Sequence, residues 1–365
     1  MDRAVTAADR PMRSGGADDG VRTDAGSAIT AAGHGGEPRD RAPAGVSRRE
    51  ALRALAGVAS LPAICAAFDA DAAPLSYNLS PQPIGDGVWL IRGAQEPIDR
   101  QNGGAIANVV IFSSSEGAVV IDTGPSKRYG LELASAAERL TGQPVVRVYI
   151  THFHPDHVFG NQAFPAQSLA APQGVVDGLE SLGEDFAAAM YYTAGDWMRG
   201  TEVVRPTRIV TSGTEAFGGR RFNLLTLAGH TNSDLAVFEE NSGILVAGDL
   251  AFLDRAPTTP HADLATWRTS LTSLSTIEHR LLVPGHGPAE DGRRAFVQTR
   301  DWLDVIEAKI RGAFDRGLSM TEAIGEPLPA WTEKVALARY EYERSVMHFY
   351  PKLEAGGWPR VDEKR

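Results

Sequence analysis

The stretch Thr151-His152-Phe153-His154-Pro155-Asp156-His157 places three imidazoles and a carboxylate within six consecutive positions. The whole chain contains only nine histidines. Alternate residues of an extended chain point to the same side, so His152 and His154 can converge on one ion while Asp156 and His157 turn toward a second. A polar surface loop rich in His would explain any two of these residues. All four at this spacing indicate a metal site, because neutral imidazole and carboxylate are metal ligands.

The composition suits a globular protein of one large or two modest domains. The 365 residues are 43% hydrophobic and 22% charged, so the chain as a whole is not disordered. A formal net charge of -10 argues against nucleic acid or an anionic membrane surface as the main partner. Cys65 is the single cysteine, which excludes an intramolecular disulfide framework and a thiolate-rich zinc finger. Any metal must therefore be held by His and carboxylate side chains.

The N-terminal region shows two patterns. Residues 1–46 contain no aromatic side chain and are rich in Ala, Gly, Asp and Arg, so we expect them to be disordered. In residues 47–72, Ser47-Arg48-Arg49 precedes an apolar run and then Ala70-Asp71-Ala72, a small-x-small cleavage pattern. This order resembles a twin-arginine export signal and predicts a periplasmic or otherwise exported protein. An amphipathic helix with a chance Arg-Arg pair is the alternative. The run is short for a membrane span, so none is expected in the mature form.

Beyond residue 86, short β-rich runs alternate with segments of helical periodicity. Strands are predicted at residues 87–92, 106–113, 118–122, 145–150, 208–210, 222–227, 235–239, 244–247 and 280–283, and helices at residues 129–141, 174–200 and 262–275. Residues 291–316, 321–324 and 330–349 are predicted to form a helical tail, with Leu337, Tyr340, Val346 and Phe349 on its buried side. A buried strand ending at residue 150 would deliver the His cluster from its carboxyl end, a common geometry of α/β sites.

Three later strands are each followed by a glycine and a metal-ligating type of residue. These pairs are Gly229-His230, Gly248-Asp249 and Gly285-His286. Glycine allows the backbone to turn sharply and bring the next side chain inward. Each pair alone indicates no more than a turn. In this order, and together with the His cluster, they predict one composite metal site.

These four sites resemble the motifs of the metallo-β-lactamase superfamily over about Leu79 to Gly287. The resemblance implies the α/β class, with an αββα sandwich and the site at one edge of two facing sheets. It assigns residues 73–290 to the metallo-β-lactamase-fold domain and residues 291–365 to a helical C-terminal extension packed on it. It also implies a first metal held by His152, His154 and His230, a second held by Asp156, His157 and His286, a bridging Asp249, and Asp122 as a support for the ligands that does not bind metal.

The residue at position 249 separates relatives within this superfamily. Zinc β-lactamases mostly have Cys or Ser there, whereas Asp249 resembles glyoxalase II, lactonases and phosphodiesterases. The segments 248–255 and 283–288, with Tyr340-Glu341-Tyr342-Glu343, resemble the quinoprotein relay system zinc metallohydrolases. That narrower resemblance implies a small-molecule substrate and association with an exported quinoprotein dehydrogenase.

The implied function is that of a dinuclear metal-dependent hydrolase. Two divalent ions, with Zn²⁺ preferred and Fe or Mn as alternatives, would share a hydroxide that attacks an ester, thioester or lactone-like substrate. Asp156 would orient that hydroxide and pass a proton to the leaving group. Arg255 is a candidate contact for an anionic substrate, with a solvated loop residue as the alternative. His261 and Asp254 lie in the same loop.

Three other functions stay open from the sequence. They are a non-catalytic exported metal-binding accessory protein, an iron-dependent sulfur dioxygenase and a weak β-lactamase. The complete set of hydroxide-generating ligands favours an enzyme, because a storage site needs no open position for a substrate.

Overall fold

The structure is a computed structural model that describes residues 75–357, in which two β-sheets face each other. The segments expected to be disordered (1–46) and to form an export signal (47–72) lie outside the described residues.

The first sheet carries the His cluster at the end of a central strand. Its seven strands lie in chain order: β1 (Gln82–Gly85), β2 (Val88–Ile91), β3 (Val109–Ser114), β4 (Gly117–Ile121), β5 (Val145–Tyr149), β6 (Leu169–Ala171) and β7 (Arg208–Ile209). β1 to β4 pair antiparallel, and β4 to β7 pair parallel. Since β4 and β5 are parallel neighbours, Asp122 and Thr151, just past their ends, reach the same edge of the sheet.

The second sheet carries the remaining predicted ligands. Its five strands lie in the order β12, β11, β10, β9, β8, with bounds β8 (Gly213–Phe217), β9 (Arg220–Leu227), β10 (Asp234–Glu239), β11 (Ile244–Phe252) and β12 (Leu281–His286). β11 and β12 are parallel, and the other pairs are antiparallel. The parallel pair brings Asp249 and His286 to one end of the sheet.

Helices cover the outer faces of both sheets. They are α1 (Lys127–Thr141), α2 (Pro155–Val158), α3 (Gln173–Ala194), α4 (Leu264–Leu274), α5 (Arg294–Asp315), α6 (Met320–Ile324) and α7 (Ala338–Gly357). Helix α1 is capped at its N-terminus by Ser126, whose hydroxyl accepts a hydrogen bond from the Tyr129 N–H, and at its C-terminus by Gly142 with φ 71°. Within residues 75–357, no helix is both long and apolar enough to cross a bilayer.

Three hydrophobic layers hold these elements together. Between the sheets, side chains such as Phe112, Tyr149 and Phe222 form one buried cluster. A second cluster lies between the first sheet and α1 and α3, and a third joins the second sheet to α4, α5 and α7. The resulting order of helix, sheet, sheet, helix confirms the predicted αββα sandwich with helices at its C-terminal end.

The structure corrects several predicted element boundaries. β11 continues past residue 247 through Asp249 to Phe252, because it pairs in parallel with β12 up to His286 after a register shift beside Gly248. The pairing compensates for the break that Gly248, with φ 53°, introduces into the strand pattern.

Strands β1, β6 and β8 were not predicted. They are short or expose most of their side chains, so their sequences lack a clear period.

The predicted buried side of the C-terminal tail is wrong at Tyr340. That side chain is 44% exposed, while Tyr342 is fully buried and donates a hydrogen bond to the Ala323 carbonyl at 2.9 Å. Leu337 adopts a left-handed conformation with φ 60°, and α7 begins only at Ala338. A single helical period running from residue 330 to residue 349 therefore does not apply, because the phase is set again at residue 338.

Candidate metal centre

The His cluster changes conformation in its middle. The backbone is extended at His154, which has φ -72° and ψ 149°, and Pro155 then opens the short helix α2. Proline favours this first helical position because its φ is already fixed. His152 and His154 therefore precede the helix, whereas Asp156 and His157 lie on helical backbone. Their side chains leave the chain in different directions, as the sequence predicted.

The structure brings all seven predicted ligand residues together in two groups. The first group consists of His152, His154, His230 and Asp249, and the second of Asp156, His157 and His286. Within each group, one ligand atom from every residue lies within 4.8 Å of the others, and all seven residues are buried. We use the names first group and second group for these sets throughout.

Three ring nitrogens converge in the first group. His154 Nδ1 lies 3.0 Å from His152 Nε2 and 2.8 Å from His230 Nε2. These three atoms face a common point. In the second group, Asp156 Oδ2 lies 3.3 Å from His286 Nε2 and 3.5 Å from His157 Nε2. Each group therefore presents nitrogen and oxygen donors to one small volume, as tetrahedral or five-coordinate divalent ions require.

Asp249 lies between the two groups. Its Oδ2 is 3.2 Å from His230 Nε2 and 3.3 Å from His286 Nε2. Its Oδ1 is 3.2 Å from His157 Nε2. This carboxylate can reach Gly285 closely because glycine has no side chain. A Cβ added at Gly285 would collide with Asp249 Oδ1.

The buried polar atoms provide a test of whether metal fits. Within residues 75–357, His157 Nε2, His230 Nδ1 and Asp249 Oδ1 are buried without a hydrogen-bond partner. Buried polar atoms without partners are costly, and two of these three point to the convergence of donors. Divalent ions in the groups would satisfy these two, His157 Nε2 and Asp249 Oδ1, so the two His/Asp groups indicate divalent metal ions. The role of each residue as a ligand stays a prediction.

The titration behaviour of the imidazoles differs between the groups. Burial and neighbouring imidazoles hold the pKa values of His152 and His154 well below their usual range. Burial likewise lowers the pKa of His230 to about 3. Burial also disfavours the charged form of His157, but the carboxylates of Asp249, Asp156 and Asp122 outweigh it and raise its pKa well above the ordinary value. The imidazoles of the first group therefore favour their neutral form, whereas the carboxylates around His157 favour its protonated form.

Asp122 supports the second group from behind. Its carboxylate lies 2.8 Å from His157 Nδ1 and accepts hydrogen bonds of 2.8 Å from both the Thr151 N–H and the Thr151 hydroxyl. Burial raises the pKa of Asp122, and His157 and Thr151 oppose that rise. With Nδ1–H donated to Asp122, His157 directs its Nε2 toward the group. The structure therefore places Asp122 where the sequence predicted a supporting residue.

Two supporting residues were missed by the sequence reasoning. The Asn108 amide donates to the Pro284 and Gly287 carbonyls at 2.8 and 2.9 Å, and so holds the end of β12 that carries His286. Asp234 accepts hydrogen bonds from the His230 and Thr231 N–H groups at 3.1 Å, and burial raises its pKa to about 8. Asp234 follows His230 by four residues and could have been noticed as a turn residue. No local pattern marks Asn108.

A cavity of about 340 Å³ opens onto both groups. His154, Asp156, Asp249 and His286 lie on its wall, as do Arg255 and His261. Arg255 is 3% exposed, so it is a buried residue of the cavity rather than a solvated loop residue. His261 Nδ1 lies 2.9 Å from His154 Nε2. Asp254 instead pairs with Arg294, at 3.3 Å.

Comparison with known proteins gives the family. Residues 102–286 match the family described as the metallo-beta-lactamase superfamily. A linear primary-alkylsulfatase from a Pseudomonas species is 20% identical over 299 residues, which cover 69% of this chain and 56% of that protein. The chain thus spans little more than half the length of this curated relative.

Two solved structures share the fold. A metallo-beta-lactamase from Pontibacter korlensis is 24% identical with a TM-score of 0.52, covering 62% of this chain and 99% of that chain. A double mutant of a sec-alkyl sulfatase is 18% identical with a TM-score of 0.56, covering 78% of this chain and 52% of that chain.

The sandwich, the two ligand groups at its edge and the match over half of the sequence define the class of protein. The chain belongs to the metallo-β-lactamase superfamily. This membership confirms the predicted superfamily and its enzyme class, the metallo-hydrolases, whose members act on small molecules.

Proposed function

We propose that this protein is a dinuclear zinc hydrolase that cleaves an ester, thioester or lactone-like bond. The observation that carries the proposal is the pair of ligand groups on either side of Asp249, next to a cavity large enough for a small molecule. A site that stored metal would not need such an opening. The proposed bond types follow from Asp249, which resembles the bridging residue of glyoxalase II and the lactonases.

When bound, two divalent ions would supply hydroxide near neutral pH and polarise the scissile carbonyl. The chain's own residues set up the rest. Asp249 spans both groups and fixes their separation. Asp156 has the most exposed carboxylate of the centre, at 9%, and lies on the cavity wall. Its position allows it to orient the attacking oxygen and then to carry a proton to the leaving group.

We propose zinc because the donor atoms are imidazole nitrogens and carboxylate oxygens, and no thiolate is among them. Iron and manganese use the same donors, and iron is the metal that a sulfur dioxygenase would require. Metal analysis of the purified protein, together with its colour, tests this part. A colourless protein with two zinc ions per chain is expected, and stoichiometric iron would overturn the assignment.

A second candidate is hydrolysis of a sulfate ester. It is favoured by the likeness to a linear primary-alkylsulfatase and by the shared fold with a sec-alkyl sulfatase. The same two ligand groups would then act at sulfur instead of at a carbonyl carbon.

We also propose that the protein is exported and works beside a quinoprotein dehydrogenase. Support comes from the Arg48-Arg49 pair with its small-x-small pattern, and from the resemblance of segments 248–255 and 283–288 to quinoprotein relay metallohydrolases. Determination of the mature N-terminus, with Arg48→Lys/Arg49→Lys as the variant, tests export. Cleavage near Ala72 that is lost in the variant is expected.

A substrate panel tests the activity itself. Metal-loaded protein is assayed with ester, thioester, lactone, β-lactam, phosphodiester and sulfate ester reporters, before and after chelation. Turnover of a carbonyl reporter that chelation abolishes and zinc restores is expected, with Asp156→Asn as the inactive control. Turnover of the sulfate ester alone would establish the second candidate. Stable binding to a quinoprotein without any turnover would indicate the accessory role.

A further inference from the structure

The cavity beside the ligand groups has walls of two kinds. Apolar side chains come from the loop before β3 and from α3, and charged side chains come from the loop after β11 and from α7. The apolar wall includes Pro97, Ile98, Ile106, Phe186, Ala189 and Met190. Arg255, Glu341 and Arg344 form the charged wall, together with Thr258.

Arg255 is the least expected residue of this cavity. Its side chain is buried, and its Nε has no hydrogen-bond partner within the described chain. The backbone there is fixed, because Ala256 N–H donates to the Ala336 carbonyl and Ala336 N–H donates to the Asp254 carbonyl, both at 2.9 Å. A buried guanidinium that is held in place without a bonded acceptor at Nε calls for an anionic partner.

A second guanidinium stands beside it. Arg344 donates from Nη1 to both Glu341 oxygens, at 3.1 and 3.0 Å, and to the Thr258 hydroxyl at 2.9 Å. Glu341 is 1% exposed and pairs with Arg344, and both arginines line the same wall as this one carboxylate. One carboxylate cannot neutralise two guanidinium groups, so the wall keeps a net positive charge.

A further positive charge, that of Lys352, lies on the same helix as Arg344. Arg344, His348 and Lys352 follow one another at intervals of four residues and so lie on one face of the helix. Lys352 Nζ donates to His348 Nε2 at 2.7 Å. His348 is neutral, with its pKa lowered to about 4 by burial, so the positive charges of this face are those of Arg344 and Lys352, and they attract anions.

The two arginines do not belong to the metal centre itself. Within residues 75–357, no ion pair of 4.0 Å or less joins Arg255 or Arg344 to Asp156 or Asp249. An anion held by the arginines would therefore lie beside the reacting bond rather than on the metals.

We propose that the substrate is an amphiphilic anion. Its carboxylate or similar anionic group, distinct from the bond that is cleaved, binds Arg255 and Arg344, and its alkyl or aryl part packs against Ile98, Phe186 and Met190. This inference rests on the proposed function for the reacting end of the molecule, but the anion subsite can be tested by binding alone.

The test uses octanoate, octanol, butanoate and octyltrimethylammonium as probes, with binding measured by calorimetry on the metal-loaded and metal-free full-length protein. Octanoate is expected to bind both forms more tightly than octanol, and octyltrimethylammonium is expected not to bind. Each buried methylene contributes about a four-fold gain, so butanoate should bind far more weakly than octanoate.

Variants separate the arginines from the metals. Arg344→Gln is expected to raise the octanoate Kd at least about ten-fold, since hydrogen bonds to charged groups are lost. Arg339→Gln removes the same charge from a more exposed position on α7, paired with Glu343, and should leave the Kd unchanged. Arg255→Lys is the second variant, because it keeps the buried charge while losing the planar donors.

The outcomes distinguish this proposal from the proposed function. Octanoate binding that ignores Arg344→Gln and Arg255→Lys, or octanol binding equal to that of octanoate, would overturn the anion subsite. Arginine-dependent octanoate binding in a protein that hydrolyses no reporter would support the subsite and refute the hydrolase. In the reporter assay, an ester with a terminal carboxylate should have a lower KM than a neutral ester of equal length, and Arg344→Gln should remove that difference.

Discussion

The first and second ligand groups lie side by side, yet their imidazoles are held in different ways. In the second group, His157 donates Nδ1–H to the Asp122 carboxylate and His286 donates Nδ1–H to the Ile106 carbonyl at 2.9 Å. Both acceptors are fixed by the fold. In the first group, His154 is backed by His261, and His230 Nδ1 is buried without a partner in the described chain. Rigid acceptors fix the ring tautomer, so the second group is the more strictly oriented of the two.

The contrast also concerns charge. The second group and Asp122 place three carboxylates, counting the shared Asp249, around His157. The first group places three imidazoles around one carboxylate. We infer that the first group accepts a metal readily because its imidazole rings are already neutral. The second group has a more fixed geometry, which makes it more selective among metals, but His157 must lose a proton before a metal binds.

Removal of the Asp249 carboxylate should have the largest effect on metal content and activity, because this side chain contacts both groups. Asp249→Ala is expected to lose the second metal and to lower kcat/KM by at least about 100-fold, the upper range for disturbance of a metal site. Metal content and reporter hydrolysis measure this. Asp185→Ala, on the exposed side of α3, is the control. Two metals and full activity in Asp249→Ala would contradict the assignment of Asp249.

Asp122→Asn tests whether the rigid acceptor matters. Because Asn is a weaker acceptor for the His157 Nδ1–H, we expect the second metal to bind about 10- to 100-fold more weakly, with the first metal little changed. Equilibrium dialysis against buffered zinc measures both affinities. Asp234 accepts from the His230 and Thr231 N–H groups and from the Thr231 hydroxyl, so Asp234→Asn should not change the affinity of the second metal. An equal loss at both groups in Asp122→Asn would remove the basis of the comparison.

The proton on His157 predicts a difference in pH dependence. Since the pKa of His157 is raised, its Nε2 must release a proton when the second metal binds, and a fall in pH opposes this. The lowered pKa values of His152, His154 and His230 leave the first group neutral. Between pH 7 and pH 6 the second-metal affinity should fall by up to about ten-fold, and that of the first metal should hardly change. Calorimetry in buffers of different ionisation enthalpy counts the protons, and equal release by both metals would be the contrary result.

Substitution of His261 should have the smallest effect on metal affinity, because His261 is an exposed residue that supports His154 by a single contact. His261→Phe is expected to weaken the first metal by less than about ten-fold, the lower limit for such partners, without changing the second. His261→Gln, which can still hydrogen-bond, should restore the affinity. Loss of the second metal in His261→Phe would show that the two groups are not held independently.

Most of the fold and the seven candidate ligands could be predicted because they follow a local rule. Each candidate ligand stands just past a strand or within its last residues, and the strands carry apolar runs. Asn108 could not be predicted, because its partner Gly287 lies 179 positions away in sequence and only the packing of the two sheets brings them together. Arg344 contacts Thr258 at 86 positions, again through tertiary packing. Tyr340 was misplaced because one left-handed residue, Leu337, shifted the helical phase.

Helix α7 packs on the hydrophobic core with one face and lines the cavity with another. Tyr342, Val346 and Tyr350 belong to the hydrophobic cluster beneath it, while Tyr340 and Arg344 face the cavity, and none of the seven candidate ligands lies on this helix. Substitutions on the cavity face can therefore accumulate without loss of the metals or of the core. Changes at a few positions of this one face would alter which molecules fit the cavity while the seven candidate ligands stay in place.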